Sequence, residues 1–190
     1  MPAHFNYYAL HYLNLWVTQD RDCCRALAGS DKNEKLRLLA KAAVDYSVVR
    51  NLRTKYDERR GLPRLGPVLK IIDNVHRANF RGDKFLLSVT KVRDKISAQY
   101  GCRDVLSATT KFLWLKLKSP IIIYDNQARR ALEVRPGEFE EYCSKWRKRF
   151  EDFEPQIRRA CASLSKVHRY TRRPEIATPE YITNSRAKMV

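Results

Sequence analysis

The pattern in this sequence that could support chemistry is a lysine, Lys111, followed fourteen residues later by an aspartate, Asp125. An ionised carboxylate stabilises a positive charge that develops beside it. An amine that is partly desolvated in an apolar pocket can be neutral enough to attack carbon. Both residues also have structural interpretations, because an aspartate before a helix commonly caps it and a first-turn lysine commonly lies in solvent or contacts a phosphate.

Two helices and an apolar segment between them must position the two residues. Residues 108–117 have the apolar pattern of a helix that contains the lysine, and Ser119-Pro120 ends it. Residues 121–124, Ile-Ile-Ile-Tyr, predict a short, extended and buried stretch. Asp125 then stands where the N-cap of the next helix, 126–132, belongs, and a cap position favours the ionised form of a carboxylate.

The segment 102–132 resembles the helix-hairpin-helix DNA glycosylase superfamily, and more closely its 8-oxoguanine-glycosylase-like branch of small bacterial proteins. The signature of that branch is Ser/Thr-Lys, a helix, and then Pro-Ile-x-Asp-x-x-x-Arg. The matching residues here are Thr110, Lys111, Ile123, Asp125 and Arg129. The resemblance implies a compact, all-α, glycosylase-like fold and excision of a modified or damaged base, in DNA repair or in defence against phage.

The roles of that family transfer to two positions. Asp125 matches the catalytic aspartate, which stabilises the oxocarbenium-like sugar as the base departs and helps to activate the nucleophile. Lys111 lies near the place of the lysine that, in bifunctional members, attacks the sugar and forms a Schiff base. The glycine-containing hairpin of the family is replaced by Leu106-Ser107-Ala108-Thr109-Thr110, and the interval from lysine to aspartate is shorter. Both differences favour water as the nucleophile, so we expect a monofunctional glycosylase with a degenerate hairpin.

The resemblance also implies a pocket for an extruded base and a surface that contacts DNA. Trp114 and Tyr124 are the candidates for the pocket, although aromatic residues at helical spacing also belong to cores. The candidates for contact with DNA are Thr109, Thr110, Arg129, Arg130, Arg147, Lys148 and Arg149. Such phosphate contacts would position duplex DNA without reading its sequence. No metal or organic cofactor is implied.

Charge points to the same class of partner. The chain has 38 Lys and Arg against 21 Asp and Glu, a net charge of +17 at pH 7. The excess is concentrated in residues 51–100, with +7, and in residues 141–190, with +6. Lys and Arg that displace counterions from phosphates supply most of the sequence-independent affinity for nucleic acid. The alternatives are a non-enzymatic nucleic-acid-binding protein that shares the helical core, and a basic surface without a specific partner.

Apolar residues at helical spacing predict an all-α chain. Besides the two helices at the candidate site, the expected helices are 30–61, 67–75, 83–101, 138–153 and 155–170. Residues 5–17 are aromatic and apolar, which leaves a helix and a strand both open. The predicted organisation is one helical domain over residues 1–173, or two small lobes with a cleft between them, followed by a loosely held tail over residues 174–190.

Other chemistries lack their motifs. The sequence has no glycine-rich phosphate loop, no His-Glu-x-x-His and no Gly-x-Ser-x-Gly. Its five cysteines, without a Cys-x-x-Cys pair, predict reduced core residues and neither disulfides nor a zinc or iron–sulfur site. No apolar run is long enough to span a bilayer and no signal-peptide pattern opens the chain, so a cytoplasmic protein without membrane contact or an obligate protein partner is expected.

Overall fold

The computed structural model describes residues 5–52, 63–101 and 104–189. The prediction of an all-α class is confirmed, since the described residues form helices and no strand. The helices are α1 (Phe5–Leu15), α2 (Arg21–Ala28), α3 (Lys32–Asp45), α4 (Gly66–Asp73), α5 (Lys84–Tyr100), α6 (Leu106–Leu117), α7 (Asn126–Ala131), α8 (Phe139–Ser163) and α9 (Pro179–Met189). None of the described helices is long and apolar enough to cross a membrane.

The chain divides into two compact units. The central unit is Asp22–Lys145, and the terminal unit combines Met1–Arg21 with Trp146–Val190. The candidate lysine and aspartate both belong to the central unit, whereas the basic triplet at residues 147–149 belongs to the terminal unit.

A small core holds the terminal unit together. It contains Leu13 and Val17 from the start of the chain and Leu164, Ala177 and Ile182 from its end, each at most 2% exposed. Two of these residues lie in the segment that the sequence assigned to a loosely held tail. That expectation does not hold for Ala177 and Ile182, because both are 0% exposed in this core, and helix α9 begins at Pro179.

The first long helix of the central unit is shorter than expected. Asp31 caps α3 as predicted, since its side chain accepts hydrogen bonds from the backbone N–H groups of Asn33 and Glu34 at 2.8 and 3.1 Å. The helix ends at Asp45, and Ser47 has a φ of 55°, a left-handed conformation that a helix cannot continue through. Most of the remaining predicted helix, residues 53–61, lies outside the described residues.

The predicted break at Pro155 is wrong, because α8 runs from Phe139 to Ser163 with the proline inside it. A proline already has a helical φ, but it lacks an N–H to donate and its ring crowds the carbonyl four residues earlier, so α8 continues through this exposed proline at a cost in stability. The helices expected at 67–75 and 83–101 are confirmed as α4 and α5, each displaced by one or two residues at its ends.

None of the four cysteines in the described part of the chain forms a disulfide, and Cys23, Cys24 and Cys143 are buried while Cys161 is half-buried. Cys102 lies outside the described residues. No group of three or more His, Cys, Asp or Glu side chains within the described ranges could hold a metal ion.

Candidate functional site

Helix α6 is enclosed by the central unit on nearly every side. Nine of its twelve residues are buried. Lys111 is one of the nine, with 8% of its surface exposed. The interpretation of this lysine as a solvated first-turn residue or a surface phosphate contact is therefore wrong. Burial of an ammonium requires a compensating partner.

The partner of Lys111 is Asp125. The lysine Nζ lies 3.5 Å from Asp125 Oδ2, and the two side chains are 10% and 41% exposed respectively. The other carboxylate oxygen, Oδ1, accepts a hydrogen bond of 2.8 Å from the backbone N–H of Gln127 and so caps α7. The cap and the ion pair use different oxygens, so Asp125 performs both tasks at once. The carboxylate is open to solvent on one side and the amine lies behind it.

A third residue completes the surroundings of the lysine. Lys111 Nζ lies 5.6 Å from the centroid of the Tyr46 ring, which follows the end of α3. A cation over an aromatic face is attracted by the ring quadrupole, most strongly where water is excluded. The ammonium is thus held between an aromatic face and a carboxylate. Tyr46 lies within the helix predicted at residues 30–61, and no local signal in the sequence links it to Lys111.

Two hydrogen bonds hold the segment of residues 121–124 that leads to Asp125. The backbone N–H of Tyr124 donates to Thr110 Oγ1 at 3.0 Å, and Tyr142 Oη donates to the Ile123 carbonyl at 2.8 Å. Residues 121–124 form neither helix nor strand, so these side chains satisfy backbone groups that a helix or sheet would otherwise bond. Thr110 adjoins Lys111 in α6, and it therefore ties the lysine's helix to the aspartate's segment.

The Tyr142 hydroxyl acts as a permanent donor in this arrangement. Burial raises its pKa to about 12, and the negative charge of nearby Asp125 acts in the same direction. The hydroxyl therefore keeps its proton throughout the physiological pH range. Tyr142 lies in the first turns of α8, and its spacing gave no sign that it would support the segment before Asp125.

Tyr124 lies in an aromatic cluster with Phe139 and Tyr142. Its ring makes edge contacts with these two rings at centroid distances of 5.9 and 5.0 Å, and the residue is 5% exposed. Its hydroxyl accepts a hydrogen bond of 3.4 Å from the Gly137 N–H. The sequence gave Tyr124 both a pocket role and a core role, and its contacts are those of a core residue that holds the chain before Asp125.

The remaining candidates take several different positions. Trp114 is half-buried in α6, one turn after Lys111. The sequence predicted that Thr109 and Thr110 contact a DNA phosphate. Both are fully buried, so neither is placed to do so. The expected degenerate hairpin at residues 106–110 is instead the start of α6, whose apolar surroundings enclose both threonines.

The two arginines of α7 differ in their contacts. Arg129 donates through Nη1 to the Val134 carbonyl, and its Nε lies 3.5 Å from Asn126 Oδ1, so this guanidinium is engaged within its own loop. Arg130 is exposed. Arg147, Lys148 and Arg149 are exposed on α8, where a polyanion can reach them.

We expect Thr110→Val to destabilise the central unit by about 1–3 kcal/mol, because the buried Tyr124 N–H loses its acceptor. Thr110→Ser is the matched control, since it keeps the hydroxyl and loses one methyl group, at about 1 kcal/mol. Urea denaturation followed by circular dichroism measures both changes. Equal losses for valine and serine would show that the Thr110 hydroxyl has no structural role.

A second ionic cluster lies elsewhere in the central unit. Asp73 at the end of α4 bonds to Lys35 Nζ at 2.9 Å and to Lys116 Nζ at 3.0 Å, and the two lysine side chains are only 12% and 18% exposed. Lys116 also donates to the Leu27 carbonyl at 2.8 Å. This one carboxylate therefore joins α3, α4 and α6. The sequence offered no sign of the cluster, because its members are separated by 38 and 43 residues.

Acid should weaken this cluster. Burial of Asp73 raises its pKa, but hydrogen bonds and charges from Lys35 and Lys116 outweigh burial and hold the pKa below its ordinary value of 3.8. A lowered pKa contributes stability above the ordinary value, and that contribution is lost as the pH falls through the folded value. We expect Asp73→Asn to be less stable than the parent at neutral pH and to lose less stability on acidification.

The measurement for Asp73 is thermal unfolding at about pH 7 and about pH 3, where the contribution of this carboxylate differs most. Asp94→Asn is the matched control, because Asp94 is 60% exposed and bonds to its neighbour Arg93. The control should follow the acid profile of the parent. Identical profiles for Asp73→Asn and the parent would contradict the assignment.

A cavity of about 610 Å³ lies in the central unit between α2 and α3, where Asp22, Arg25, Glu34 and Arg37 are among its lining residues. None of Lys111, Asp125, Trp114 and Tyr124 lines it.

The chemistry available at the pair follows from its geometry. Asp125 offers an anchored and partly exposed carboxylate, and Lys111 adds a fixed positive charge behind it. Such a carboxylate can stabilise a cation that develops on the solvent side, and its position needs no reorganisation during the reaction.

Comparison of the chain with protein-family models, with curated proteins and with solved structures finds no match.

Proposed function

We propose that this protein is a DNA glycosylase that removes a modified or damaged base from duplex DNA, with Asp125 as the catalytic carboxylate. The observation that carries the proposal is the 3.5 Å pairing of Lys111 with Asp125. These two residues are the ones that the resemblance to helix-hairpin-helix glycosylases selects. Asp125 is open to solvent, as a carboxylate that meets the sugar of an extruded nucleotide must be.

The proposed reaction is a hydrolysis of the N-glycosidic bond. The bond between C1′ and the base nitrogen breaks, and its electron pair leaves with the base. Asp125 stabilises the positive charge that remains on the sugar. Water then bonds to C1′ and loses a proton to solvent by way of Asp125, while the departing base takes up a proton, which leaves an abasic site and a free base. Lys111 orients the carboxylate.

Duplex DNA is the proposed substrate, because the charge of +17 suits a polyanion. We expect binding to duplex DNA to weaken steeply with salt. Charge reversal at Arg147, Lys148 and Arg149 should weaken it for all sequences alike, by about tenfold or more at low salt.

Fluorescence anisotropy with labelled duplexes of unrelated sequence, at several salt concentrations, measures this prediction. The matched control reverses Arg25, Lys32 and Arg37, which are exposed and lie in the nearly neutral first 50 residues. The control changes the net charge equally. Salt-independent binding, or an equal loss in both variants, would show that the triplet does not contact the DNA backbone.

A substrate screen tests the proposed activity. Duplexes that each carry one oxidised, alkylated, deaminated, hydroxymethylated or glucosylated base are incubated with the protein and then assayed for abasic sites. Cleavage of oxidised, alkylated or deaminated bases would place the protein in repair, and cleavage of hydroxymethylated or glucosylated ones in defence against phage. DNA binding without abasic sites on any duplex would favour a non-enzymatic nucleic-acid-binding protein.

A further inference from the structure

Helix α1 presents an aromatic face to solvent. Tyr7, Tyr8 and Tyr12 are 66%, 52% and 67% exposed, and His11 between them is exposed as well. The rings contact one another. Tyr7 and His11 stack with centroids 6.4 Å apart and planes within 10°, while Tyr8 and Tyr12 make edge contacts with Tyr7 and His11 respectively. We call these four residues the aromatic face.

The fold of the terminal unit does not require this face to be aromatic. Leu13 is buried in the core, and Ala9, Leu10 and Trp16 pack against the same core. By helical spacing, these four residues lie on the side opposite to the aromatic face. The buried stripe therefore fixes how α1 lies and leaves the aromatic face outward. A surface helix usually carries charges on its outer face, yet α1 contains no Asp, Glu, Lys or Arg. Contiguous exposed apolar surface of this kind marks an interaction site.

A basic side chain, that of Arg149, lies near the start of α1. The Phe5 ring packs on the Phe153 ring of α8 at 5.5 Å, and the Arg149 guanidinium lies 5.7 Å from the centroid of that same Phe153 ring. Arg149 belongs to the exposed triplet 147–149. The terminal unit as a whole has 12 basic and 6 acidic side chains, a net charge of +6.

Exposed aromatic rings on a helix that contains no acidic residue, together with a basic side chain near its start, suit one class of partner. Unpaired bases offer π faces that stack on aromatic side chains in any sequence, and the phosphates that connect them bind Lys and Arg. Paired bases within a duplex already stack on each other and offer only their edges in the grooves. A second copy of the chain would bring two units of +6 together, which opposes self-association through this face.

We propose that the aromatic face of α1 stacks the unpaired bases of single-stranded DNA, while the triplet Arg147, Lys148 and Arg149 contacts its phosphates. This surface lies in the terminal unit, and the Lys111–Asp125 pair lies in the central unit. The proposal therefore holds whether or not the protein cleaves N-glycosidic bonds.

The test compares binding of an unmodified single strand and of a duplex of the same length, both labelled for fluorescence anisotropy. The variant Tyr7→Ala/Tyr8→Ala/Tyr12→Ala should bind the single strand about tenfold or more weakly, since each stacked base contributes appreciably to affinity. Its affinity for the duplex should change by less than about twofold. Tyr170→Ala is the matched control, because Tyr170 is 62% exposed in the same unit but lies outside α1, and it should change neither affinity.

A second variant separates stacking from loss of fold. Tyr7→Phe/Tyr8→Phe/Tyr12→Phe keeps the rings and should retain single-strand binding, and circular dichroism establishes that each variant is helical. Loss of binding in the phenylalanine variant would assign the contact to the hydroxyl groups and overturn stacking. Equal loss for single strand and duplex in the alanine variant would overturn the preference for unpaired bases. A parent dimer that the alanine variant abolishes in sedimentation, with DNA binding unchanged, would instead assign the face to a second copy.

Discussion

Asp125→Asn is expected to abolish base excision while leaving the fold and most of the affinity for DNA in place. Asparagine is as good an N-cap as aspartate, so its single amide oxygen can still accept the Gln127 N–H. What the amide lacks is the negative charge that stabilises the cationic sugar in the transition state. We expect a loss on the order of a thousandfold or more in the single-turnover rate of excision.

The stability of this variant needs its own measurement. Asparagine has one oxygen where aspartate has two, so Lys111 loses the partner that Oδ2 provides. We expect a cost of about 1 kcal/mol, which for a chain of this size lowers the melting temperature by a few degrees. Excision is therefore compared well below the melting temperature of both proteins, on a duplex that the parent cleaves.

Glu133→Gln is the matched control for Asp125→Asn, because Glu133 is exposed and follows α7 in the same loop. This variant should keep full activity. If Asp125 were only a cap, Asp125→Asn would be as active as Glu133→Gln. Full activity of Asp125→Asn on a confirmed substrate would remove Asp125 from the catalytic assignment.

The sequence predicted the site where its signals were local. The prediction that Asp125 caps a helix depends only on residues close to it in the sequence, and the structure confirms it. The all-α class and the positions of α4 and α5 depend on apolar spacing within single helices, and these are also confirmed. The same local rules failed at Pro155, where a helix-breaking residue type stands at an exposed position of a continuous helix.

The sequence could not predict contacts between distant residues. Tyr46 and Lys111 are 65 residues apart, and Asp73 is separated from its two lysines by 38 and 43 residues. The burial of Thr109 and Thr110 depends on packing around every side of α6. The periodicity of apolar residues identifies one buried face of a helix, but it does not show whether the other faces are covered as well. In α6 the residues Thr109, Thr110 and Lys111 are buried too, although their types predict exposure.

The role of Lys111 distinguishes attack by water from attack by the lysine, and the contacts of this residue favour attack by water. A lysine that attacks C1′ must reach the sugar, whereas this amine is buried and lies 3.5 Å from a carboxylate and 5.6 Å from an aromatic centroid, contacts that hold it behind the exposed carboxylate. We therefore expect the parent to leave abasic sites in a confirmed substrate without a protein–DNA adduct when borohydride is present. Water, and not the lysine, is then the nucleophile.

Replacement of the lysine should still reduce activity, because its charge positions Asp125. We expect Lys111→Met to lower the excision rate by about a hundredfold. Methionine fills much of the space of the lysine stem, so this variant should remain folded, whereas Lys111→Ala also leaves a cavity in the core. Similar rates for methionine and the parent would show that the ammonium does not act through Asp125.

The trapping experiment with these variants distinguishes the two nucleophiles. A borohydride adduct in the parent that disappears in both Lys111→Met and Lys111→Ala would show that the lysine attacks the sugar, and the water mechanism would be wrong. In that case Asp125 would take the proton from the ammonium before attack, which its distance of 3.5 Å permits. Abasic sites without an adduct, together with the slow excision expected of Lys111→Met, would instead leave Lys111 as the residue that holds the carboxylate in place.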